Sequence, residues 1–177
     1  MHGSLETLFG RQVDLRRFTA TDITPAYLGW LRDPAVVRFS NQRFRTHTAE
    51  SCADYLASFR GTDNLFLAIV HRDNARVVGT MTAYVSAVHG TADLGILIGD
   101  RSCWGQGLGL DAWQALIAYL LQSAGLRKIT GGTLRPNVGM VRVMERSGMH
   151  LEGVRERQEI VDGVPVDVLL YARFRPE

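Results

Sequence analysis

Seven residues, Trp104-Gly105-Gln106-Gly107-Leu108-Gly109-Leu110, constrain this chain more than any other stretch. They follow the apolar run Leu94-Gly95-Ile96-Leu97-Ile98 and lead straight into a long apolar segment, Leu110 to Leu121. Strand, glycine loop and helix start, in that order, build an anion site from main chain alone. Glycine turns the chain at low steric cost and lets a ligand approach the backbone. The first N–H groups of a helix have no partner within it, and the helix dipole adds partial positive charge at the same place. A pyrophosphate suits such a position, so the pattern points to a phosphorylated cofactor.

Spacing narrows the choice. Gly105-Gln106-Gly107-Leu108-Gly109 lacks the G-x-G-x-x-G interval of a dinucleotide fingerprint. It also lies mid-chain, behind several strand-like runs, with no βαβ unit around it. No G-K-[ST] is present, which excludes a P-loop.

The length of 177 residues makes one compact domain, 1–177, the default, and a 46% hydrophobic content supplies its core. A net charge of +2 implies no strong electrostatics toward nucleic acid or a membrane surface. No apolar stretch is long enough to span a bilayer. Met1-His2-Gly3-Ser4 does not resemble the start of a secretion signal. Cys52 and Cys103 have no metal-ligand spacing, so no metal site and a reduced cytoplasmic setting are expected.

Alternation over 12–18 predicts a first strand. Asp22 is a candidate cap for a helix to about Trp30, which Asp33-Pro34 breaks or restarts. Thr48 is placed to cap a second helix to about Phe59. Strands are expected over 65–70, about 77–88 and 92–98, with a turn at Asp73-Asn74. Residues 110–121 are apolar nearly all round apart from the stripe Asp111, Gln114 and Gln122, as in a helix enclosed against a sheet. After Gly125 a strand begins at Lys128, and Asn137 caps a short helix ending near Gly148. Asp162-Gly163 turns a final hairpin. The order β-α-α-β-β-β-α-β-α-β-β describes an α+β fold: a mixed, mostly antiparallel central sheet with helices on both faces.

On these residues the chain resembles the GNAT acetyltransferases. Their acetyl-CoA loop reads Q/R-x-x-G-x-G/A. Here 104–109 lie on that pattern, with Trp104 departing at the Q/R position. The variant W-G-x-G-x-G-x-x-A, completed by Ala112, is similar to the branch of ribosomal-protein N-acetyltransferases. The segment from Asn137 to Met149 resembles that branch's N-x-x-S-x-x-x-x-E-K-x-G-F at Asn137, Glu145, Gly148 and, conservatively, Arg146. The strand 92–100 and the final hairpin are also similar to it.

The resemblance implies acetyl-CoA as cofactor and acetyl transfer to a primary amine in a ternary complex. It places the pyrophosphate on the main chain of Gly105, Gln106, Gly107, Leu108, Gly109 and Leu110, beside Trp104. It lays the pantetheine arm along Ile96, Leu97 and Ile98, where two parallel strands splay. A thioester oxygen would then meet an N–H near Leu97 or Ile98. Asn137, besides capping its helix, is implied to bond the pantetheine. Arg142 and Arg146 share a helix face and either reach CoA phosphates or remain solvated.

Asp93 stands where the related branch usually has Glu and is the candidate base, although a strand carboxylate could equally pair with an arginine. His89, in the turn before it, is the fallback, with a suitable intrinsic pKa. A general acid is missing from the expected places. The family's Ser and Tyr positions hold Met140 and Met144, which cannot donate a proton, and both are expected to pack against the pantetheine arm. Water can protonate a departing thiolate, since a thiol is an adequate leaving group.

The segment Tyr27 to Phe44 resembles one in GNAT proteins of amino-sugar and surface-polysaccharide pathways. Phe39, Ser40, Asn41, Gln42 and Arg43 are the candidate acceptor contacts; their mixed donors and acceptors suit an amino sugar or its nucleotide. The same segment could instead be a helix end folded over the cofactor. The other acceptors are a ribosomal-protein N-terminus and a small antibiotic or polyamine. A CoA-binding regulatory module without turnover also remains open, as do monomer and homodimer.

Overall fold

The computed structural model describes residues 7–176. Met1–Ser4, considered above for a secretion signal, lie outside the described residues. The strands are β1 (Leu8–Phe9), β2 (Val13–Arg17), β3 (Leu65–His71), β4 (Val77–Ser86), β5 (Thr91–Ile98), β6 (Lys128–Leu134), β7 (His150–Val161) and β8 (Val164–Phe174). The helices are α1 (Pro25–Arg32), α2 (Pro34–Val37), α3 (Ala49–Ala57), α4 (Leu108–Ala118) and α5 (Val138–Arg146).

One eight-stranded sheet runs β1-β2-β3-β4-β5-β6-β8-β7. All neighbours are antiparallel except β5 and β6. Alternation divides the core. Leu65, Leu67 and Ile69 of β3 face α4 and α5 through Trp113, Leu116 and Met144, while Phe66 and Ala68 face α1 and α3 through Tyr27, Leu31 and Cys52. The expected mixed sheet with helices on both faces is what the structure has.

Three local details differ from the sequence reading. Thr24, not Asp22, caps α1, its hydroxyl accepting from the Tyr27 N–H at 3.2 Å. Asp22 is instead buried in a preceding turn, where Arg16 grips both its carboxylate oxygens at 2.7 Å. The two-residue β1 was not expected, being too short to show periodicity. After Ala118 the α4 ladder loosens into a π-turn over Tyr119–Ser123. Thr48 caps α3 and Asn137 caps α5 as anticipated. The hairpin turn places both Asp162 and Gly163 at positive φ, 49° and 79°.

What positions the site is the parting of β5 from β6. Their pairing runs from Thr91↔Lys128 to Leu94↔Gly131 and stops. β5 continues to Ile98 on β4 alone, and β6 continues to Leu134 on β8. The gap leaves a strand edge open inside the sheet.

Candidate active site

The glycine loop closes the open end of this gap. Gly105 and Gly107 adopt positive φ, 75° and 84°, a conformation that glycine takes without strain. Gly107 is the left-handed residue from which α4 starts. The first N–H in this turn with a protein acceptor is that of Asp111, bonded to the Gly107 carbonyl at 3.0 Å; among the described residues those of Gly105 to Leu110 have none. The Asp111 carboxylate fixes the start of α4 to the β1–β2 turn by accepting from the N–H groups of Arg11, Gln12 and Val13. The first helical turn packs on Ile96 and Ile98, where a Cβ at Gly109 would make only ordinary contacts of 3.5–4.0 Å.

Strand phase decides which β5 groups face the gap. The Gly99 N–H bonds the Val78 carbonyl of β4 at 2.9 Å, so Leu97, two residues back, also turns its main chain toward β4. Ile96 and Ile98 therefore present theirs to the gap. The Ile98 carbonyl accepts the Trp104 indole N–H at 2.8 Å, which confirms the phase.

A cavity of about 530 Å³ joins loop and strand edge. Ile96, Leu97, Ile98, Trp104, Gly105, Gly107, Leu108, Gly109 and Leu110 line it from one side, and Asn137, Met140, Arg142 and Arg146 from α5. Gln106 is not in this wall; its side-chain amide turns back onto the Ser102 carbonyl at 2.7 Å and braces the loop. The Asn137 side-chain oxygen is spent on the Met140 N–H at 3.3 Å, which leaves its amide nitrogen. Ala35, Val36, Cys103, Gly139 and Val143 also line the cavity and carried no signal of their own in the sequence. The donor set fits acetyl-CoA: free N–H groups and two guanidinium groups for phosphates, a strand edge for the two amides of pantetheine, an apolar wall for its alkyl parts.

The sequence model of the Acetyltransferase (GNAT) domain matches residues 12–150. The chain belongs to the GNAT acetyltransferase family. As a member it is an acetyl-CoA-dependent N-acetyltransferase. It is 26% identical to the "Uncharacterized N-acetyltransferase p20" of Bacillus licheniformis, with 98% of each chain aligned. Two solved structures share the fold. The RimL ribosomal L7/L12 alpha-N-protein acetyltransferase, solved with coenzyme A, superposes with a TM-score of 0.82 at 20% identity, covering 96% of this chain and 98% of that one. Spermidine N-acetyltransferase from Vibrio cholerae, solved with CoA and spermine, gives 0.82 at 15% identity, covering 93% and 96%.

The candidate acceptor segment divides. Phe39 and Ser40 line the cofactor cavity. Ser40 Oγ accepts from the Gln42 N–H, and the Gln42 carbonyl bonds the buried His47 ring. Arg43 donates to the carbonyls of Ser40 at 2.8 Å and Ile160 at 3.1 Å and pairs with Glu159 at 3.7 Å. Arg38 reaches Asp162 at 2.9 Å. Residues 38–44 thus form a strap tied to the β7–β8 hairpin. Ser40 and Arg43, expected to meet the acceptor, spend their polar groups internally, and the helix-end alternative describes them better. Asn41 is exposed in the same turn.

Asp93 lies on the sheet face opposite α4, in phase with Gly95 and Leu97. Its Oδ1 accepts the Thr130 hydroxyl at 2.7 Å, not an arginine. Tyr84 stands directly across β4 from Asp93, and Thr82 across from Gly95. These side chains make a polar row, and Tyr84 shares a 2.7 Å hydrogen bond with the Tyr55 hydroxyl. Burial first, then that bond, push the Tyr55 phenol well above its ordinary value, so it stays protonated. His89 is exposed in the β4–β5 turn, outside β5 and four positions before Asp93, its carbonyl accepting from Arg127; it does not line the cavity.

Of the two methionines expected against the pantetheine arm, Met140 forms cavity wall, whereas Met144 is fully buried in the core and does not line the cavity. No group of metal-ligating side chains occurs among the described residues, and no helix there is long and apolar enough to cross a membrane.

Proposed function

We propose that this acetyltransferase acts on a small hydroxylated amine, an amino sugar or its nucleotide. The observation that carries the proposal is the row Thr82, Tyr84, Asp93 and Thr130 on the sheet face beside the β5–β6 gap. Hydroxyl groups that both donate and accept suit a polyhydroxylated ligand. A polyamine would call for several carboxylates, and this row holds one.

Acetyl-CoA, when bound, supplies the acetyl thioester. The free N–H groups of Gly105 to Leu110 hold the diphosphate, and Arg142 and Arg146 add charge beside it. The Ile96 and Ile98 edge orients the arm. Of the two outward N–H groups, that of Ile96 lies nearer the vertex at Leu94 and Gly131, and it serves as the oxyanion donor. This role moves from the expected Leu97 or Ile98, because the Leu97 main chain faces β4 and Ile98 lies further from the vertex. Asp93, oriented by Thr130, takes the proton from the acceptor ammonium through Oδ2. Alignment of the two reactants supplies much of the remaining acceleration.

Thiol release from acetyl-CoA, measured over amino sugars, their nucleotides, peptides and polyamines, tests this. Release with the amino sugars or their nucleotides is expected. Release with peptides or polyamines alone would overturn the acceptor assignment.

A further inference from the structure

Trp104 occupies the place where the family pattern has Gln or Arg, and the cofactor alone does not account for its geometry. The residue is 44% exposed, so it does not belong to the core. Its indole N–H nevertheless holds the Ile98 carbonyl at 2.8 Å, on the edge that the pantetheine amides need. The Arg101 guanidinium sits 5.6 Å from the ring centroid and pairs with Asp33 at 3.5 Å, which fixes the indole from behind. A second tryptophan secures the next residue: Trp30 lies so close on Gly99 that any side chain there would collide with the ring. The N–H groups of Gly99 and Asp100 both converge on the Val78 carbonyl. The end of β5 is therefore clamped from the edge, from one face and from β4.

We propose that Trp104 is a positioning residue that sets the register of the pantetheine arm on β5. The arm starts at the loop and runs back toward the vertex at Leu94 and Gly131. Ile98 is the first outward-facing residue on that path, and its carbonyl already carries the indole N–H, whose ring stands on the side from which the arm would approach. An amide N–H of the arm finds its first open acceptor two residues deeper, at the Ile96 carbonyl. A shift of two residues along a strand is about 6.6 Å, enough to decide whether the thioester reaches the level of the polar row or stops short of it. A glutamine or arginine at 104 would not present a rigid single donor in the same way. The proposal rests on the cofactor placement given above.

The ¹⁵N-labelled protein provides the test, because its indole N–H signals come from only Trp30, Trp104 and Trp113. Loss of one signal in Trp104→Phe assigns it. The Trp104 indole proton should exchange slowly with and without coenzyme A. Rapid exchange once coenzyme A binds would mean that the arm displaces the indole, and would overturn the proposal. That measurement needs only the wild-type protein should the variant fail to fold, with Trp30→Phe and Trp113→Phe giving the assignment by difference. In Trp104→Phe the freed Ile98 carbonyl lets the arm slip toward the loop. The kcat should fall at least about tenfold, since an ångström-scale misplacement is costly, while the Kd for coenzyme A stays within about threefold. An unchanged kcat, or a large loss of affinity with kcat retained, would each reduce Trp104 to a packing wall. Failure of the underlying placement is separately visible. Coenzyme A would then leave the Gly105–Leu110 amide signals of the wild-type protein unmoved, whatever Trp104 does.

Discussion

The cofactor groove and the proposed acceptor face share strand β5 but are built by different means. The groove uses main chain: positive-φ glycines, the unpaired N–H groups before Asp111, and the outward carbonyl and N–H groups of Ile96 and Ile98. The acceptor face uses side chains that meet from distant parts of the chain. Asp93 and Thr130 are 37 residues apart. A site made of backbone tolerates many side chains but few changes of conformation. A site made of side-chain pairs can change its ligand with one substitution and leave the fold intact. Binding a common cofactor and choosing a particular amine are thereby separable tasks.

The sharpest separation is expected from Asp93→Asn. If Asp93 accepts the ammonium proton, kcat should fall about 10²-fold or more, with the acetyl-CoA Kd unchanged by calorimetry. Asp93→Glu should recover part of the rate. Unaltered turnover would remove the carboxylate from the chemistry and return it to a simple partner of Thr130.

Gly107→Val attacks the other side. A β-branched residue at φ 84° is strained, by roughly 1–3 kcal/mol, which is about a five- to 150-fold loss of affinity where binding needs that turn. Coenzyme A titration should show the loss while far-ultraviolet circular dichroism stays unchanged. Retained affinity would mean that the phosphates do not rest on this loop. Arg43→Ala is expected to do less. It releases the strap from the Ile160 carbonyl and Glu159 and, because Phe39 and Ser40 of the strap line the cofactor cavity, should raise the coenzyme A Kd several-fold. An unchanged Kd with a raised acceptor KM would show that the strap serves the acceptor instead.

The same division explains what could be read from the sequence. Glycine loop, apolar strand and apolar helix are consecutive from Leu94 to Leu121, so the groove is a local pattern, and its residues are visible without knowing the fold. The Asn137 cap is local too. Arg43 misled because its side chain looks free in sequence, while its partners on the hairpin depend on how β7 and β8 arch beyond the sheet. Ala35 and Val36 were invisible as cavity wall for the same reason. Leu97 was indistinguishable from Ile96 and Ile98 until β4 fixed the strand phase. His89, close to Asp93 in number, stays in the exposed turn before β5 and outside the cavity wall.

A substitution outside both regions should leave the comparison untouched and act on stability alone. Asp22 is buried beneath the start of α1 with Arg16 on both oxygens. Burial alone would raise its pKa, but the Arg16 guanidinium and the N–H and hydroxyl of Thr19 outweigh it and hold the carboxyl below its ordinary value. A carboxyl depressed on folding adds stability that is fully present above its unfolded pKa, near ~3.9, and is lost as pH falls through the folded value. Asp22→Asn should therefore cost about 1–3 kcal/mol at pH 7, the range for losing a charged hydrogen bond, discounted toward its lower end because Arg16 is partly exposed. Thermal melts should show a drop of a few °C that is constant from neutral pH down to about pH 4 and shrinks below it. The kcat of the folded variant and its coenzyme A Kd should match the wild type. A gap between the two melting curves that widened on acidification would reverse the sign argued for this carboxyl.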